Sequence, residues 1–135
     1  MADGIPAIEV HAAPAEPIIA DEAAERAILG ALSIDHDALY RIVDLEPEDF
    51  YDPARGRIYD AMRTLITGPS RGFDVSTLAA LLRERDCLHS AGGPQGIAAL
   101  SDDIPTGAHI DEHARIVRDC SRRRAVRDKA RAIIV

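Results

Sequence analysis

Asp52 followed by Pro53 is the tightest constraint this chain places on its own folding. A carboxylate accepts the orphan amides of a helix start, and proline fits the first helical position because no N–H is missed there. The pair closes the stretch Pro47-Glu48-Asp49-Phe50-Tyr51-Asp52-Pro53 and predicts a helix over Ala54 to Leu65. Ile58, Met62 and Leu65 recur at helical spacing, flanked by Tyr59 and Ile66. Gly68 is the expected stop, through the left-handed turn that glycine takes without strain. Phe50 and Tyr51 stand just outside the cap, placed to staple the entering chain to a neighbour. The two phenylalanines of the chain are Phe50 and Phe73, so aromatic core volume is scarce. Phe50, Tyr51, Asp52 and Pro53 are therefore read as the structural anchor, with Phe50 buried.

Composition narrows the class. At 135 residues the chain is long enough for a single core, and 47% hydrophobic with 29% charged residues is ordinary for a soluble domain. Alanine, leucine, arginine and glutamate dominate, β-branched runs are short and tryptophan is absent, which favours an all-α fold. Cys87 and Cys120 make neither a disulfide framework nor a zinc set and read as reduced cytosolic thiols. No window approaches the roughly 20 apolar residues of a membrane span, so the expected location is cytoplasmic and no membrane partner is expected. The net charge of −7 is uneven: the segment from Glu112 to the end carries +5 and the rest −12. An acidic body repels phosphate, which argues against direct DNA binding by this chain, although the basic segment alone could touch a backbone.

Taken in order, residues 1–20 are rich in Ala, Pro, Glu and Ile, lack a basic region and read as a disordered leader. Asp21 caps a first helix whose positive end suits Glu22 and Glu25, with Ala24, Ile28, Ala31 and Leu32 on one face. Ala27, Gly30 and Ala31 are small and admit a close neighbour. A short second helix from Asp35 or Asp37 is expected to turn Leu39, Ile42 and Val43 inward. Asp74 caps a helix carrying Val75, Leu78 and Leu82. Gly92-Gly93 is a turn, Pro94 starts a short helix with Ile97 and Leu100, and Ile104-Pro105-Thr106-Gly107 is a break. From about His109 the pattern is helical to the end, with one stripe at Ile110, Ala114 and Val117 and a later one at Val126, Ala130, Ile133 and Ile134. Ile28, Leu32, Leu39, Phe50, Ile58, Met62, Leu65, Leu78 and Leu82 form the expected core.

Motifs that carry chemistry are few. No Gly-x-x-x-x-Gly-Lys-Ser/Thr loop is present, so no nucleotide cofactor is expected. His109-Ile110-Asp111-Glu112-His113 fits a His-x-x-Glu-His zinc pattern, in which two histidines share a metal and a glutamate acts as base. That reading, a metal-dependent hydrolase using His109, Glu112 and His113, also needs a distant third ligand, and 22 residues follow His113. The plainer reading is a first helical turn whose acids complement the dipole. Asp35-His36-Asp37 reads as a turn and cap. Cys87 is expected in a polar, exposed setting, and Cys120 as a small packing residue.

Several segments, taken together, resemble the N-terminal domain of DnaB-type replicative DNA helicases. They are Glu25-Arg26-Ala27-Ile28-Leu29-Gly30-Ala31-Leu32, Leu45 to Pro53, Ile58-Tyr59-Asp60-Ala61-Met62 and Asp74 to Arg83. Gly92-Gly93, Pro105-Thr106 and Ala114-Arg115-Ile116-Val117-Arg118 follow in the family's order, so the likeness runs from Ala20 to Val135. Three positions depart from it: Asp86 stands where the family usually has a glycine, and Gly96 and His113 where aromatics are common.

The resemblance implies a compact orthogonal helical head, residues 21–107, followed by the first arm of a helical hairpin, residues 108–135, incomplete here. It implies a non-catalytic module that self-associates, builds a collar and docks primase or helicase subunits, the ATPase motor lying elsewhere. Arg115, Arg118, Arg122, Arg123, Val126, Ala130, Ile133 and Ile134 are the expected partner-interface residues. A free-standing regulator that binds a replicative helicase or primase is the alternative in the same class.

Overall fold

The computed structural model describes residues 17–102 and 106–134, the side chain of Ile134 excepted. The leader, save its last residues, and the Ile104-Pro105 part of the expected break lie outside the described residues. Among those described, every regular element is helical, as the composition favours. Helix α1 (Glu22–Ile34) is followed by a 3-10 turn (His36–Arg41) and a second one (Pro47–Asp49). Then come α2 (Pro53–Thr67), α3 (Val75–Glu84), α4 (Gly93–Ala98), a third 3-10 turn (Ala99–Ser101) and the long α5 (Ile110–Ile134).

The helix starts are set locally. The carboxylates of Asp21, Asp52 and Asp74 accept the amides of Ala24, Ala54 and Thr77 at 2.9, 2.9 and 2.8 Å. Thr77 returns the favour to the Asp74 amide, closing a capping box. The Thr77 amide donating to the carboxylate is the main reason the Asp74 carboxyl lies below the usual carboxylate range.

The core gathers around α1, which packs on α2, α5 and the short turns. Ile28, Leu29, Ala31 and Leu32 are all buried, facing Ile58, Tyr59 and Met62 of α2, Leu78 and Leu82 of α3, and Ile110, Ala114 and Val117 of α5. Phe50 is buried against Tyr59, with ring centroids 5.1 Å apart. Each such burial contributes roughly 1.5–3 kcal/mol.

Four expectations are corrected. Val43 is 63% exposed while Leu39, Ile42 and Leu45 are buried, because the 3-10 turn ends at Arg41 and Val43 sits on the turn that follows, which the Leu45 amide closes on the Ile42 carbonyl at 3.0 Å. Leu65 is only partly buried; its neighbour Ile66 takes the core position. Gly68 does end α2, but in extended backbone (φ −86°, ψ −172°), where an added Cβ would lie 2.9 Å from the Thr64 carbonyl. Cys87 is buried, since the chain folds back over α3 directly after Asp86.

Candidate partner interface

The anchor stretch is held from a distance as well as locally. Glu25, fully buried on α1, accepts the Tyr51 amide at 2.6 Å and Arg55 Nε at 3.0 Å. Arg55 also donates to Glu22 at 2.8 Å. Burial opposes the Arg55 charge, but the hydrogen bonds to Glu22 and Glu25 outweigh it and raise the guanidinium's pKa. Tyr59 donates its hydroxyl to the Leu45 carbonyl at 2.8 Å, and Arg63 reaches the same oxygen at 3.0 Å.

Helix α5 leaves the head in two stages. Its first turns are seated by apolar contacts through Ile110, Ala114 and Val117. One and two turns further on, polar contacts take over. The Ser121 hydroxyl donates to Asp49 at 2.8 Å, and Arg124 donates to the carbonyls of Asp49 at 2.8 Å and Ile19 at 2.7 Å. The Arg124 guanidinium also lies 5.6 Å from the centre of the Tyr51 ring. Beyond Arg124 the helix runs into solvent: Val126 is 68% and Ile133 83% exposed, and Ala130 is exposed too.

The expected interface residues are thus divided. Arg115 and Arg118 line a hollow with Arg41, His109, Asp111 and Glu112 near the start of α5. Arg41 pairs with Asp111 there, and Arg115 with Glu112 at 3.3 Å. Arg122 is exposed, and Arg123 pairs with Asp119 at 3.0 Å. Val126, Ala130 and Ile133 form the free stripe of the distal helix, and the Ile134 side chain lies outside the description.

The geometry gives the zinc reading no support. No group of three His, Cys, Asp or Glu side chains able to hold a metal exists among the described residues. The carboxylates beside His109 are taken by arginines, and His113 is half-buried with its Nδ1 enclosed and unpartnered. His36 packs on Phe73, ring centroids 4.5 Å apart, as a turn residue would. No helix among the described residues is long and apolar enough to cross a membrane.

From the sequence, Glu25 reads as a dipole complement and Asp49 as part of the stretch ahead of the α2 cap. Their partners lie far off in the chain, so no local pattern points to them; Arg55, two residues past Pro53, is the signal the sequence offers.

Residues 19–119 match the family described as DnaB-like helicase N terminal domain. The chain is 36% identical over 111 residues to the replicative DNA helicase DnaB of Treponema pallidum, covering 82% of this chain and 25% of that one. Against the replicative DNA helicase DnaB of Geobacillus stearothermophilus it is 37% identical over 99 residues, 73% of this chain and 22% of that one. It therefore spans about a quarter of the length of these relatives. The crystal structure of the N-terminal domain of DnaB helicase from Mycobacterium tuberculosis matches with a TM-score of 0.77 at 34% identity, over 87% of this chain and 84% of that one.

Proposed function

Because the chain belongs to the DnaB-like helicase N-terminal domain family, we propose that it is a non-catalytic protein-interaction and oligomerisation module. It acts in DNA replication in the cytoplasm, contributes to a collar and docks primase or helicase subunits. Residues 21–107 serve as the head, preceded by a leader over 1–20, and 108–135 begin a helical hairpin. The matched segment lies within a family whose curated relatives are named as replicative helicases several times longer, which supports a module rather than a motor.

The observation that carries the assembly role is the distal half of α5. Val126 and Ile133 offer apolar surface that the head does not cover, and such surface favours association with another chain. Sedimentation velocity over a wide concentration range tests it. The expected result is concentration-dependent association, weakened in Ile133→Asp; a monomer throughout removes the assembly role. Titration with primase tests the docking role separately, and saturable ATP binding in calorimetry would contradict the non-catalytic reading.

A further inference from the structure

We propose that the hollow between the head and the first turns of α5, walled by Arg41, Arg115 and Arg118, receives the carboxylates of an acidic segment in a partner protein. The inference rests on the docking role proposed above and names the chemistry that would hold the partner.

The three guanidiniums differ in what they already bind. Arg41 is fixed: it donates to the carbonyls of Gly107 at 3.3 Å and Ala108 at 2.9 Å and pairs with Asp111, which matches its charge. Arg115 meets Glu112 at 3.3 Å in an exposed pair between successive turns. Such a pair contributes little, and a better-placed acceptor can replace it. Arg118 is half-buried, yet it makes no hydrogen bond or ion pair among the described residues. A guanidinium carries five donors in a rigid fork and takes a carboxylate through two of them at once. Arg118 is thus the uncompensated charge of the hollow, with the fork still open.

The next turn extends the same surface. Arg115, Arg118 and Arg122 follow one another at three and four residues, so they share one face of α5. Arg122 is exposed and also has no partner among the described residues. Arg123, on another face, is already paired with Asp119. The site belongs to the head rather than to the distal arm: Val117, beside Arg118, is buried in the core, and Arg41 comes from the first 3-10 turn.

The hollow, about 470 Å³, is open to solvent, where salt screens a lone small anion. A segment bearing several carboxylates presents them at high local concentration and meets Arg115, Arg118 and Arg122 together. A nucleic-acid strand would have to run on past the hollow over an acidic body that repels phosphate. Those two considerations select an acidic protein segment.

Fluorescence anisotropy of the full chain with a fluorescein-labelled octaglutamate peptide tests this in about 0.05 M salt, where surface charges are weakly screened. The parent chain should bind saturably. Arg118 makes no bond that the fold needs, so its variants should stay folded, as circular dichroism can verify. Arg118→Gln should weaken binding about fivefold or more, and Arg118→Lys, which keeps the charge but loses the fork, by less. Arg26→Gln removes the same charge from an exposed position on α1 and should change the affinity less than about twofold. Equal losses in Arg118→Gln and Arg26→Gln would reveal a general charge effect and overturn the hollow, as would the absence of saturable binding. A labelled oligothymidylate of the same charge that binds more tightly than the peptide overturns the assignment to an acidic protein. If the peptide fails while primase still binds, the hollow is overturned and the docking role stands. If the peptide binds as expected and primase does not, the docking role fails and the hollow stands.

Discussion

The Glu25 carboxylate, 26 residues before Tyr51 in the chain, accepts the Tyr51 backbone amide at 2.6 Å inside the fold. A buried anion thereby holds the backbone just ahead of the α2 cap and, through Arg55, the first turn of α2 itself. Removing one partner strands the other, which costs more than the pair contributes. Glu25→Ala should lose about 3–5 kcal/mol of stability. Glu25→Gln, which retains an acceptor, should lose less. Urea unfolding followed by circular dichroism separates the two.

Gly56 reverses the usual helix rule. Glycine to alanine in an exposed helix interior gains about 1 kcal/mol. Here an added Cβ would lie 2.6 Å from the Pro47 carbonyl oxygen and 3.7 Å from the Phe50 Cβ. Gly56→Ala should instead destabilise by about 1–3 kcal/mol, since the anchor stretch must move away. The unfolding midpoint in urea gives the sign.

Asp86 works in the opposite direction. It takes φ +60° at the end of α3, where its amide bonds the Arg83 carbonyl at 3.0 Å and the next amide, of Cys87, bonds Leu82 at 2.9 Å. This is a Schellman stop, which favours glycine. Asp86→Gly should stabilise the chain by on the order of 1 kcal/mol by relieving the left-handed strain. Calorimetry should show Tm rising by about 4 °C.

Tyr59 predicts an alkaline limit. Burial pushes its phenol up to about 12, above the ordinary value of 10, despite the opposing pull of Arg63. A raised folded-state pKa means that the neutral phenol is what the fold holds. Its contribution is complete below about pH 10 and is lost as pH climbs through about 12. The loss is on the order of 2–3 kcal/mol. Tyr59→Phe should cost about 1 kcal/mol at neutral pH, with Arg63 still satisfying Leu45, and should flatten the decline between pH 10 and 12 seen in pH-dependent urea unfolding.

The legible parts of the sequence were those decided within one turn. Asp21, Asp52 and Asp74 cap as their spacing suggests, because a cap involves only a side chain and an amide two or three residues on. The core stripe of α1 and the burial of Phe50 followed from periodicity and scarcity. Val43 departs from its expected place because the short helical element stops at Arg41 and a turn follows, and apolar content does not mark where a short helix ends. Gly68 misled because a helix can end in extended backbone as well as in a left-handed turn. Glu25, Ser121 and Arg124 were not legible as tethers, since what they bind is fixed by the packing of distant segments. The exposed stripe of α5 is visible in the sequence as a helical pattern.

Helix α5 is a lever whose bearing runs from Ile110 to Arg124 and whose handle is the end beyond. From Arg124 to Ile133 the free arm measures ~14 Å, against ~21 Å of seated helix from Ile110 to Arg124. A sideways load at the tip falls first on the Ser121 and Arg124 bonds, which are stiff but give way within a fraction of an ångström. The apolar seat behind them yields gradually. A load on the tip therefore meets the bonds to Asp49 and Ile19 before it reaches the apolar seat.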